Sequence, residues 1–525
     1  MPDRAARRVL AAWIDRIRPA QEARARLGWD AACKATSEGR ARVEGASLAL
    51  DRTLADPIGF GKVEQSLSEG IEDPVLKRAL ERLKLRLLPY RVPRPEDLVL
   101  LEAGLQERFA TFRAEVGGHA LAAHEVTATL RTSVDETELE HTWRAAVRLG
   151  ERVAEDVREA VRLRNEHARK GGFSDYRAMM LRCEEVDEDE LDRFLTDLED
   201  GSDDAWRREK ERLDDALARR IGHAVVATHP WHFGDVFLQM LPPEKGREDP
   251  FAASDPVALM QRTFEGIGFD VSSVLAASDL YPREGKNQHA FCTHIDGAGD
   301  VRVLCNVVPT QRWVRTMLHE FGHAAYDLYL DFDLPWNLVR PPHACVTEGV
   351  AMFFDRHIHD ARWREQIAGL EPDDEAAVRA RRELLTFLRW GLVMSRFEER
   401  LYADPDQDLD AAWWDLVERL QGIARPNPLP SGAWAAKIHL ACFPVYYHSY
   451  LLGECVASQL GRHVRESLPG GTLVDNPEAG NWLREAVFAP SALHPWGTLM
   501  ERATGSAPRA DALLADVLGV EPAHE

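Results

Sequence analysis

Several things are missing or scarce in this sequence, and each scarcity excludes something. Across 525 residues there are seven cysteines, an odd number, at positions 33, 183, 292, 305, 345, 442 and 455. None form a C-x-x-C pair, which argues against both a disulfide framework and a thiolate zinc site. Positive charge is in deficit: 65 Lys and Arg stand against 87 Asp and Glu, a formal net charge of −22. Binders of nucleic acid or anionic membranes rest on clustered cations, so neither partner is expected. No run of 18 apolar residues occurs, which removes a helical membrane span. The N-terminal stretch MPDRAARRVLAAWIDRIRPAQEARARL carries charge throughout and reads as an amphipathic helix, not a secretory leader. The expectation is a reduced, cytoplasmic protein. Repeats and low-complexity runs are absent too, and Gly285-Lys286 lacks the rest of a phosphate-binding loop.

What is present is an ordinary globular composition, 45% hydrophobic and 29% charged. Apolar residues recur at three- and four-residue spacing over 4–35, 74–89, 96–116, 137–169, 187–221, 374–402 and 409–423, which predicts helices there. Proline and glycine collect at 241–250, 425–432 and 468–480, which read as loops. One region departs from the helical pattern. Apolar, β-branched runs at 289–295 and 301–308 flank Asp296-Gly-Ala-Gly-Asp300, a β-hairpin signature, and a helix is expected from about 311 to 329.

Within that helix stands His319-Glu320-Phe321-Gly322-His323, an H-E-x-x-H motif. Residues four apart share a helical face, so both imidazoles can address one ion while Glu320 lies beside it. Catalytic zinc takes neutral nitrogen ligands and keeps one position open for water. A neighbouring carboxylate can take that water's proton and return it to a leaving amine. The metzincin continuation is excluded, because Tyr326 and Tyr329 occupy its glycine and histidine positions. For the third ligand, Glu348 lies 25 positions beyond His323, at the start of a helix for which Thr347 is the expected N-cap. His343 and Asp355 are rival ligands. Asp355, His357 and His359 could form a second metal site, but helical residues two apart diverge, which favours a solvated helix.

These residues resemble the gluzincin zinc oligopeptidases, the group that includes angiotensin-converting enzyme, thimet oligopeptidase and their bacterial relatives. The resemblance extends over about 165–515. Thr228-His-Pro-Trp-His-Phe-Gly-Asp235 is similar to the family's A-H-L-L-G-(N/D), Ala436-Lys-Ile-His-Leu440 to A-K-F-H-I, Tyr447-His-Ser-Tyr450 to Y-x-x-Y, and Trp496 through Thr504-Gly505 to a C-terminal W-x-x-x-L-x-x-x-T-G. It implies one Zn2+ per chain on His319, His323 and Glu348, with Glu320 activating water. Tyr450, assisted by His439, would stabilise the oxyanion. His289 and Ala290 fall on the implied substrate-pairing strand, and Lys437 and Tyr447 match positions that hold a substrate's C-terminal carboxylate. The pattern departs from the converting-enzyme branch at Met352, where that branch has an aspartate orienting a zinc histidine; Asp327 or Asp355 is the expected substitute. The lead His343-Ala-Cys-Val-Thr-Glu348 departs from the thimet branch as well.

The fold class expected is therefore mainly α. It would be a large two-lobed helical metallopeptidase with a deep channel and a small β-hairpin beside the zinc helix. Residues 1–525 would form one unit, with 1–160 as a channel wall or lid and 161–520 as the catalytic part. Its substrates would be short peptides, cleaved in oligopeptidase or peptidyl-dipeptidase mode. The alternative is a catalytically inactive, zinc-stabilised helical scaffold that binds peptides or a partner.

Overall fold

A computed structural model describes residues 2–222, 227–242, 248–371 and 373–519. The loop expected at 241–250 lies partly outside the described residues, as do the extreme ends of the 1–525 span. The fold is mainly α, with two small antiparallel two-stranded sheets. No described helix is long and apolar enough to cross a membrane.

The predicted helices form close to their expected bounds: Pro2–Cys33, Pro74–Leu87, Glu136–Lys170, Glu188–Ile221, Asp374–Ala403 and Leu409–Gln421. Carboxylates begin many of them. Asp73, Asp135, Asp187 and Asp408 each accept an amide of the first turn, satisfying donors that no helical carbonyl can reach. The helix expected over 96–116 stops at Thr111. Its last residues turn instead into strand β1 (Ala114–Val116), which pairs with β2 (His119–Leu121). Gly117 and Gly118, both at positive φ, make the two-residue turn that this hairpin requires.

The second hairpin pairs β3 (Phe291–His294) with β4 (Val301–Leu304), in the register Cys292 opposite Val303. It is shorter than the sequence runs suggest, so His289 and Ala290 precede the strand. Beneath it runs the HExxH helix, Gln311–Leu328, capped by the Thr310 hydroxyl. Both oxygens of Asp249 also accept the Gln311 amide. Val314, Met317, Leu318, Phe321, Ala324 and Ala325 are buried at three- and four-residue spacing and fix this helix in the main core.

Three helices then stack in sequence: the HExxH helix, Ala344–Asp355, and His448–Ser467. Glycines allow the close approach. A Cβ at Gly322 would lie 2.9 Å from Ala351 Cα, and one at Gly349 would lie 2.5 Å from Val456 Cγ1. The N-terminal helices gather a separate apolar cluster, Ala6 to Leu87, which touches the rest through Leu338 and Ala492.

Candidate metal centre and its cavity

Helix periodicity places Arg315, His319, His323 and Asp327 in one stripe that lines a cavity of about 1560 Å³. Glu348 reaches the same point from the neighbouring helix. Single ligand atoms of His319, His323 and Glu348 all lie within 4.8 Å of one another, and this trio is the one such cluster among the described residues. Glu348 Oε2 stands 3.6 Å from His319 Nε2 and 3.9 Å from His323 Nε2. Zinc–nitrogen and zinc–oxygen bonds of ~2 Å in a tetrahedron separate ligand atoms by roughly 3.3 Å, so a small contraction would complete the site.

Which ring nitrogen faces the centre is settled by the other one. His319 Nδ1 meets Asp355 Oδ2 at 3.0 Å, and His323 Nδ1 meets Thr347 Oγ1 at 2.7 Å. Both Nε2 atoms are left for an ion, the usual second partner arrangement of a metal-bound imidazole. The donor set of two imidazoles and one carboxylate fits zinc with an open position.

The electrostatics favour a cation here. Burial alone would lower the His319 pKa, but the hydrogen bond and charge of Asp355, with Glu320 and Glu348 nearby, carry it up to about 9. Burial, followed by the charge of His319, pushes His323 well below the ordinary range. Glu348 is raised by burial, partly offset by His319 and by the hydroxyl of Tyr446, which donates to its Oε1 at 3.2 Å. Glu320 is 8% exposed, and burial pushes it up to about 7 against the pull of His319 and the Cys292 amide.

The helix bearing Glu348 begins earlier than Thr347. His343 is the N-cap, its Nδ1 accepting the Cys345 amide at 2.8 Å. Thr347 is thereby freed to hold His323. His343 packs on Trp496 and stands outside the ligand cluster. Asp355, the other rival ligand, orients His319 instead of joining the cluster, while Asp327 faces His294 and Arg340. No second metal cluster forms among the described residues: His357 Nδ1 bonds the Phe353 carbonyl, and His359 faces Glu383.

By its sequence Pro444 can begin a helix that would place Tyr447 and Tyr450 on one face, but the tyrosine segment folds differently. Its helix starts at His448, because Val445 adopts a left-handed backbone, φ 56°. That conformation is strained for a β-branched residue. The Val445 amide donates to Glu398 Oε1 at 2.6 Å, which holds the turn that delivers Tyr446 and Tyr447. Tyr450 lines the cavity, its pKa pushed up to about 12 by burial and by Glu348. His439 is half-buried, with its ring 6.1 Å from that of Tyr450; burial and Lys437 lower its pKa to about 4, so it is neutral.

Glu398 supplies a check on this turn. Burial raises its carboxyl to about 7 from 4.5, against the Val445 amide and Arg177. The unfolded chain therefore loses this proton first. The penalty is absent below pH 4.5, grows to about pH 7 and is complete above it. Glu398→Gln keeps an acceptor for Val445 but cannot ionise. Thermal melts should show the variant gaining about 1–3 kcal/mol over the wild type at pH 8 and little at pH 4.

Lys437 and Tyr447 stand deeper than the cavity wall. The Lys437 ammonium lies 5.2–5.6 Å from the ring centroids of Trp390, Phe237 and Tyr447 and donates to Gln239 Oε1. Burial lowers its pKa to about 8, with Asp235 opposing. Tyr447 Oη accepts from Trp390 Nε1 at 2.5 Å. Gln239 does reach the cavity, and sequence reasoning passed over it. The buried Asp235 carboxylate accepts the amides of Phe237, Gln239 and Met240 and so folds the loop that presents it. The signal was an aspartate closing the quoted 228–235 segment, four residues before a lone glutamine. Ala290 lines the cavity beside Phe291 and Cys292, whereas His289 is exposed and outside its lining.

No protein-family model matches the chain. Over 260 residues it is 25% identical to thermostable carboxypeptidase 1 of Pyrococcus furiosus. The match covers 41% of this chain and 49% of that protein, so it spans about half the length of the relative.

Proposed function

We propose that this chain is a zinc-dependent peptidase of the gluzincin kind, hydrolysing short peptides as an oligopeptidase or peptidyl-dipeptidase. The observation that carries this reading is Glu320, buried in the cavity wall beside a converging His319–His323–Glu348 trio. Its likeness to a carboxypeptidase supports the reaction class. A scaffold that only bound zinc would have no use for a carboxyl group at that position.

One zinc per chain would supply Lewis acidity and a water acidified toward neutral pH. Glu320 takes the proton of the attacking water at its carboxylate and delivers it to the leaving amine. Tyr450 donates a hydrogen bond from its phenolic O–H to the developing oxyanion, a contribution of roughly 3–4 kcal/mol for such a donor, and neutral His439 assists. Ala290 and the edge of β3 pair with the extended substrate by β-augmentation, with His289 at the approach. Lys437, steadied by Gln239 and Tyr447, attracts the C-terminal carboxylate, which would favour release of dipeptides. In this reading 1–525 work as one two-lobed unit with a deep channel. Residues 1–160 wall or cover it, and 161–520 carry the chemistry.

A mixed peptide library sequenced by mass spectrometry tests the reading. The zinc-loaded chain should cleave it, chelation should abolish cleavage, and returned zinc should restore it. Uniform loss of two C-terminal residues identifies a peptidyl-dipeptidase, and internal cuts an oligopeptidase. Intact peptides after prolonged incubation with stoichiometric zinc would leave only the scaffold.

A further inference from the structure

The HExxH helix carries one more cavity-facing group that the mechanism above leaves without a task. Asp327 stands one turn beyond His323 on the same stripe as the two ligands. Most other carboxylates lining the cavity have a partner. Asp355 takes His319 and Arg315, Asp360 accepts the Trp363 amide, Glu454 and Asp516 hold Arg356, and Glu383 lies 3.7 Å from Arg315. Asp327 accepts no hydrogen bond among the described residues. Its nearest charged-capable neighbour, His294 Nδ1, is 3.9 Å away, and burial lowers that imidazole's pKa, keeping it neutral. Arg340 acts on Asp327 only from beyond ion-pair contact, its guanidinium stacked 5.4 Å from the Trp336 ring centroid. The Asp327 side chain is 16% exposed.

A carboxylate withdrawn from water without a donor is costly unless a cation joins it. Burial accordingly pushes this one up to about 7, and a cation beside it would bring the value down again. Among the described residues none supplies such a cation at contact distance, while the cavity leaves the carboxylate reachable. We infer that Asp327 is a specificity-determining residue that receives an ammonium or guanidinium group of the substrate, so that this site selects basic peptides. The inference rests on the peptidase reading and names its substrate class.

Geometry places the cation along the peptide. One helical turn spans ~5.4 Å, and an extended chain advances ~3.3 Å per residue. The charge therefore belongs to a residue about two positions from the cleaved bond. Cys292 and His294 share one face of β3, Cys292 lining the cavity with Asp327 and His294 Nδ1 standing 3.9 Å from it, so a peptide laid along that strand passes over the carboxylate. The charge can come from a Lys or Arg side chain or from a free α-amino group. The net charge of −22 works in the same direction by concentrating cationic peptides near the molecule.

The test uses the zinc-loaded chain and a peptide it cleaves. The residue two positions to either side of the cut is made Lys, Nε-acetyl-lysine or norleucine, each with a free or an acetylated N-terminus. Lys, or the free amine, should raise kcat/KM over its neutral counterpart by at least about tenfold. Asp327→Asn should bring that ratio close to one. The acetyl-lysine and acetylated N-terminus arms alter only the peptide, so a misfolded variant cannot mask the answer, and they separate side chain from α-amine. Equal rates for charged and neutral peptides at both N-termini, or a preference that survives Asp327→Asn, would overturn the assignment while leaving the peptidase reading intact. Failure to cleave any library peptide would remove both.

Discussion

Replacing Glu320 by Gln is expected to lower kcat/KM for peptide hydrolysis by roughly 10²- to 10⁴-fold, the contribution usual for a positioned general base. The substitution is close to isosteric, and glutamine can still accept the Cys292 amide. It cannot take a proton at neutral pH. Glu320 is 8% exposed, and a buried amide that keeps the Cys292 donor costs no more to desolvate than a buried carboxylate. Melting temperature should therefore hold or rise, and zinc content by mass spectrometry should stay at one per chain. Separating the three readouts matters. Lost zinc would make Glu320 a structural support of the trio, whereas undiminished hydrolysis would remove the proton-transfer role altogether.

The largest expected effect on stability comes from a single methyl group. In Gly349→Ala the new Cβ would lie 2.5 Å from Val456 Cγ1, 2.6 Å from Val456 Cβ and 2.9 Å from the Gly453 carbonyl oxygen. None of these can swing aside, since two belong to a stiff β-branched side chain and one to backbone. The helix bearing Glu348 must separate from His448–Ser467, at a cost of about 1–3 kcal/mol or more. Glu348 is the adjacent residue, so the shift also carries the proposed third ligand away from His319 and His323. Urea denaturation should report the loss in stability, and zinc titration a weaker affinity. Gly322→Ala, whose Cβ would lie 2.9 Å from Ala351 Cα, supplies the comparison from the helix bearing His319 and His323.

Much of the site was legible because it depends on periodicity. His319 and His323 four apart must share a face, and Glu348 followed from a helix start within reach. What was hidden depends on contacts between segments distant in sequence. Thr347 reads as a better N-cap than His343 by local preference, yet packing starts the helix four residues sooner and turns the threonine onto His323. Asp355 was one of two candidates to orient a ligand, and only the packing of the two helices shows that it meets His319. A helix start at Pro444 misled for a different reason: Val445 takes a left-handed backbone that its own chemistry opposes and that Glu398, 47 residues earlier, holds in place. The β1–β2 hairpin was read as the end of a helix although Gly117-Gly118 marks a turn.

The Nδ1 contacts of the two histidines have a consequence for how ion binding and folding share free energy. Asp355 and Thr347 fix both rings before any ion arrives, so the rotational entropy of the imidazoles is surrendered when the chain folds. An ion bound there would meet a preorganised pocket and return more of its binding free energy to the folded state. If the trio binds an ion as proposed, metal affinity and conformational stability are linked quantities. Loosening either helix, even far from the centre, would restore ring entropy and weaken the proposed grip on an ion.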